Sequence, residues 1–223
     1  MASTAMPSHA SVIPLVLANL LPLALVVLFD WDVAALMILY WSENLILGFY
    51  TLARMLLVSP LGGLGMAAFF CIHYGGFCAA HGLFLLTMLL DVDIDPIGDD
   101  PWPLFLVFVQ MLVNVVREVL AQAPASWLWA FAALFVSHGF SFVRNFLAGG
   151  ERDAAQLGKL MTAPYGRIML LHVVVIAGGM LVMTLGESLY MLLLLVVLKI
   201  AIDVKLHLRE RAKLAPVVEG QPL

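Results

Sequence analysis

Apolar residues dominate the chain in long runs, and polar positions interrupt those runs at few places. The first run extends over about residues 12–29, with Pro14 and Pro22 set to bend it. A second covers Val33 to Val58 and carries Tyr40, Trp41, Ser42, Glu43 and Asn44 near its middle. Ser59-Pro60-Leu61-Gly62-Gly63 then breaks the pattern. A third run, Leu64 to Leu90, contains no Lys, Arg, Asp or Glu, yet holds His73 and His81. Each run is long enough to cross a bilayer as a helix. Later runs follow at Trp127 to Leu147, 168–185 and 187–206.

One stretch reads differently. In Leu104 to Gln122 the polar residues Gln110, Asn114, Arg117, Glu118 and Gln122 fall on one helical stripe. This predicts an amphipathic helix at the membrane interface, its stripe turned to water or headgroups. The expected fold is therefore all-α: a polytopic transmembrane helical bundle of six spans plus one interfacial helix, with seven spans as the alternative. Residues 1–214 form a single integral membrane domain, and 215–223 a disordered cytoplasmic tail.

Composition agrees: 63% of the 223 residues are hydrophobic and 12% charged, a balance that excludes a soluble surface. The placement of charge sets orientation. Arg144, Arg152, Lys159 and Arg167 form one basic segment; Lys205, Arg209, Arg211 and Lys213 form another. The positive-inside rule places both in the cytoplasm. Asp91 to Pro101, with five Asp and no cation, suits the outside. An odd number of crossings must separate that loop from Arg144, so the amphipathic stretch should not cross. Both termini are then cytoplasmic, with the chain in the cytoplasmic (inner) membrane. No basic tract is interleaved with aromatics, which excludes nucleic acid as a partner. The partners implied are the lipid bilayer and a lipid-soluble small molecule, and a homo-oligomer is compatible with them. Cys71 and Cys78 are about two turns apart on one helix, too far to bridge, and read as small apolar residues.

The chemistry sits on the spans. Hydrocarbon tolerates imidazole and carboxylate poorly, yet Glu43, His73, His81, His138 and His172 all fall near the middle of predicted spans. Asp203 and His207, at i and i+4, share a helix face with a spacing that suits two ligands of one metal. A His/carboxylate set suits zinc, iron or copper better than calcium or magnesium. The leading expectation is a metalloenzyme acting on a membrane-soluble substrate, as a hydrolase or oxidoreductase. In it Glu43 is the catalytic ligand or base, and His73, His81, His138, His172, Asp203 and His207 are metal ligands. His73, His138 and His172 would share one ion. His73 and His81, eight residues and ~12 Å apart along a helix, would belong to different shells, with His81 near Glu43. Two other readings stand beside it. One is an ion- or proton-coupled transporter using the same residues as a relay; the other is a b-type haem protein with two axial His.

The stretches LYWSENLILGFY, IHYGGFCAAHG, SHGFSFVRNF, APYGRIMLLHVVVIAGG and LKIAIDVKLHLRE also carry a family likeness. Over roughly Leu15 to Glu210 the chain resembles a prokaryotic family of multi-pass membrane proteins, domain of unknown function 6498. That resemblance implies a shared architecture and no particular activity.

Overall fold

In the computed structural model the described residues are 33–166 together with 168, 169, 172, 173, 176, 177, 180, 184 and 197. The expected spans at 12–29 and 187–206, the tail 215–223, and Lys199, Asp203 and His207 lie outside the described residues. The span at 168–185 is described in part, and its described residues are helical.

The helices are α1 (Val33–Val58), α2 (Leu64–Leu89), α3 (Leu106–Gln122), α4 (Ala125–Ser141), α5 (Glu151–Ala154) and α6 (Leu157–Thr162). No strand occurs among the described residues. α4 continues into a π-helical turn, Phe142–Leu147. Three helical stretches are long and apolar enough to cross a membrane: Ala34–Val58, Leu64–Met88 and Ala125–Leu147. The protein is therefore built as a helical membrane protein.

Local chemistry explains the breaks. Pro60 cannot continue α1 as a hydrogen-bonding residue, and the turn closes with Gly63 N–H donating to Ser59 O at 2.7 Å. A Cβ at Gly63 would stand 2.5 Å from that same oxygen, so only glycine fits. At the start of α4, Pro124 is extended, and its carbonyl accepts from Trp127 N–H at 2.9 Å.

Side-chain contacts fix the direction of each helix. The Trp41 indole N–H donates to Cys78 O at 2.7 Å, and Tyr74 O–H to Asn44 O at 3.1 Å. Met55 packs in a core with Phe70 and Tyr74. Numbers rising along α1 thus meet numbers falling along α2, so the two are antiparallel. α4 runs the other way: Glu43 meets His138, and Arg54 meets Phe142 and Phe146. It is parallel to α1. Consequently the end of α2 and the start of α4 lie on the same side, and the chain between them makes no net crossing.

That intervening excursion differs in detail from a helix lying flat at an interface. α3 packs against the central part of α2, with Leu112 at Gly75, Phe108 at Gly76 and Val115 at Gly82. Gly82 is the tightest point. A Cβ there would lie 2.5 Å from Val115 Cγ1 and 2.7 Å from the Trp41 ring. The polar stripe also faces otherwise than expected. Gln110 is buried and clamps the acidic loop, donating from Nε2 to Ile97 O at 2.7 Å and Asp100 O at 2.8 Å. Its Oε1 accepts from Trp102 N–H at 2.7 Å. Asn114 Nδ2 donates to Pro96 O at 3.1 Å. A loop of eleven residues with two prolines and five aspartates leaves many carbonyls unpaired, and the stripe supplies their donors; Arg117 alone of the first three remains exposed. The stretch between α2 and α3 turns through positive-φ residues near each end, Asp91 at φ 50° and Leu104 at φ 53°. The Cβ of Leu104 crowds its carbonyl oxygen there, at a cost of about 1–2 kcal/mol.

Candidate functional site: three polar pairs between helices

α2 and the helical residues beyond Pro164 run in the same sense, joined by two contacts. His73 Nδ1 lies 2.7 Å from the Tyr165 hydroxyl. Higher up, His81 Nε2 lies 2.5 Å from His172 Nδ1, the rings nearly perpendicular at 85°. The third pair joins α1 to α4: Glu43 Oε1 and His138 Nε2 are 3.3 Å apart.

The His81–His172 pair has a determined polarity. His81 Nδ1 is 2.7 Å from Phe77 O. A carbonyl only accepts, so Nδ1 of His81 carries the proton, and in the neutral ring its Nε2 must accept. His172 Nδ1 therefore donates, which leaves His172 Nε2 as the bare lone pair at the end of the chain. His81 is 6% exposed, so this hydrogen bond is strengthened by its low-dielectric surroundings. His73 lies at an exposed position, stacked on Phe69 at 5.1 Å. Glu43 and His138 are between the extremes, with side chains 13% and 24% exposed. Just beyond His138, α4 widens into its π turn, a departure from regular helix often found beside functional groups.

The expected grouping is thus rearranged. His73, His138 and His172 take three different partners rather than converge, and His81 pairs with His172, not with Glu43. The reason is directional: two parallel helices meet at matched heights, and His138 belongs to the α1–α4 seam. His73 and His81 themselves take different partners, Tyr165 and His172. Cys71 and Cys78 are free thiols, as their spacing required. Among the described residues no three His, Cys, Asp or Glu side chains gather as a metal-ligating group. Two nitrogens on one zinc would stand roughly 3.3 Å apart in a tetrahedral shell; 2.5 Å is the spacing of a short hydrogen bond.

Tyr165 is the residue that sequence reasoning passed over. A signal existed: Tyr165 and His172 are seven apart, His73 and His81 eight apart, nearly the same rise on two helices. Such matched ladders pair when the helices are parallel neighbours.

No curated protein and no solved structure matches the chain. Residues 1–219 match the group described as "Family of unknown function (DUF6498)", and the chain belongs to that family.

Proposed function

We propose that the protein moves protons within the bilayer, as a proton-coupled carrier in which the polar pairs are the protonation sites. The His81–His172 contact carries this reading. A proton arriving on His172 Nε2 makes that ring a cation. Its Nδ1 proton then passes to His81 Nε2, leaving His172 neutral and His81 doubly protonated. Charge has moved one ring deeper, and no atom has travelled more than a hydrogen-bond length. Glu43 with His138 is a second exchange point, since carboxylate and imidazole can share one proton. The orientation that fits has cytoplasmic basic loops, six spans and an inner-membrane location in a prokaryote. The excursion through α3 then lies on the outer side.

The test is proton flux in proteoliposomes clamped with valinomycin and containing a pH-sensitive dye. Wild-type protein should acidify or alkalinise the lumen with the imposed potential, and His81→Ala and His172→Ala should each abolish that flux. Wild-type flux in both variants would sink the proposal.

A metal centre is the second reading; it requires His81 and His172 to open from hydrogen-bond contact to the roughly 3.3 Å that two ligands of one ion keep. There Glu43 would be a base acting on a lipid-soluble substrate. Elemental analysis of the same preparation decides. Stoichiometric zinc, iron or copper that disappears in His172→Ala supports the metal, and a Soret band supports haem.

A further inference from the structure

Away from the three pairs, Arg54 holds a charge with no counterion among the described residues. It sits one turn before Val58, the last residue of α1. Its Nε is buried without a hydrogen-bond partner, and among the described residues the only ion pair is Glu43 with His138. The guanidinium carbon lies 5.9 Å from the Phe142 ring centroid and 5.5 Å from that of Phe146. Those rings are stacked at 5.4 Å on the π turn, so the guanidinium has an aromatic wall on one side. A guanidinium cannot shed its charge by losing a proton. Arg54 is half-buried with its Nε cut off from water; an unpaired cation in that setting is costly, and aromatic faces compensate only part of that cost. Something anionic should complete the site.

The surroundings say of what kind. Arg152 donates from Nη2 to Leu57 O at 2.9 Å, which brings a second guanidinium to the same helix end. Lys159 lies on α6, whose Leu157, Leu160 and Met161 pack on the core that includes Met55. Arg54 is ~6 Å inside the end of a membrane-spanning helix by helical rise, the depth from which arginine snorkels to headgroup level. A planar guanidinium fork at that level matches the oxygens of a phosphate. We propose that Arg54 and Arg152 bind a phosphate group at the basic end of the bundle, the phosphate of an anionic phospholipid.

The experiment titrates full-length protein in neutral detergent with phosphatidylglycerol, with inorganic phosphate, and with uncharged diacylglycerol, following thermal unfolding. Phosphatidylglycerol should protect the wild type, and diacylglycerol should not. Arg54→Gln should weaken the apparent affinity about fivefold or more, the effect of one cation at an anionic surface. Arg152→Gln, at an exposed position that leaves the core untouched, should weaken it similarly and serves as the readout if Arg54→Gln does not fold. Arg-dependent protection by phosphatidylglycerol alone assigns the lipid; Arg-dependent protection by inorganic phosphate assigns the same site to a free anion. Equal protection by diacylglycerol, or undiminished protection in the variants, overturns the site, and water around a snorkelling side chain becomes the account of Arg54.

Discussion

His81 Nε2 and His172 Nδ1 are 2.5 Å apart, and this bond ties together two helices that run in the same sense. Parallel neighbours cannot be joined by a short turn, so contacts of this kind must hold their register. Replacing His172 by Ala should leave a buried acceptor on His81 without its donor, a loss of about 1–3 kcal/mol. His81→Ala should cost a similar amount. The double variant should cost clearly less than the sum, because the two residues act as one unit. Thermal unfolding of the four proteins in detergent measures this; additive losses would mean that the rings do not interact.

Gly82 tests the packing of the three helices around the site. Its missing Cβ makes room for Val115 and Trp41 together. Gly82→Ala should destabilise the protein by about 1–3 kcal/mol through overpacking. Val115→Ala in the same chain should recover part of the loss, since one of the two clashing groups is then gone. A melting temperature unchanged by Gly82→Ala would show that α3 does not sit against α2 as described.

The acidic loop should come loose when its clamp is removed. Gln110→Ala deletes two hydrogen bonds to loop carbonyls and one from Trp102 N–H just beyond the loop, each worth about 1 kcal/mol net. Limited proteolysis should then cut within Asp91 to Pro101 at protease levels that leave the wild type intact. Equal resistance in both proteins would assign the loop's order to some other contact.

Asp95 gives the same loop a pH dependence. Backbone N–H groups of Gly98 and Ile97, both 3.0 Å from its Oδ1, hold its carboxyl below the usual range. A carboxylate with a lowered folded pKa stabilises the fold above its unfolded pKa, about 3.9. That contribution is lost as pH falls through the lower, folded value. Fluorescence of Trp102 followed from pH 6 to pH 2 should report loop loosening below about pH 4, and Asp95→Asn should remove this step from the profile.

How far the sequence foretells all this depends on which residues are asked about. Val33 to Val58 and Leu64 to Leu89 are legible because apolar runs bounded by a Pro-Gly turn admit one reading. The intramembrane polar residues are legible one by one, because each is expensive in hydrocarbon. Their pairing is not. Glu43 could have met any imidazole at its depth; which one depends on helix neighbours and direction, set by contacts as remote as Trp41 with Cys78. The stripe on α3 shows the same limit. Its periodicity is correct, but a polar face does not say whether it meets water or the carbonyls of a nearby loop, and Gln110 meets carbonyls.

Sidedness is the last prediction. α1 and α2 are antiparallel, and α4 runs with α1. The turn at Ser59–Gly63 therefore shares a side with the segment after Leu147, while Asp91 to Pro101 lies on the other. This alternation holds only if the loop and α3 together make no net crossing, as the Gln110 and Asn114 contacts to the loop imply. Arg144, Arg152 and Lys159 all fall on the first side, which the positive-inside rule makes cytoplasmic. In intact cells, an impermeant thiol reagent should modify Asp95→Cys and leave Arg152→Cys unmodified until the membrane is opened. Cys71 and Cys78, within a span, should react little in either case. Labelling of both variants from the outside would mean that α3 crosses after all; it would also turn the basic segment outward and remove the inner-leaflet setting of the Arg54 site. Labelling of Arg152→Cys alone would keep the alternation and reverse the whole bundle.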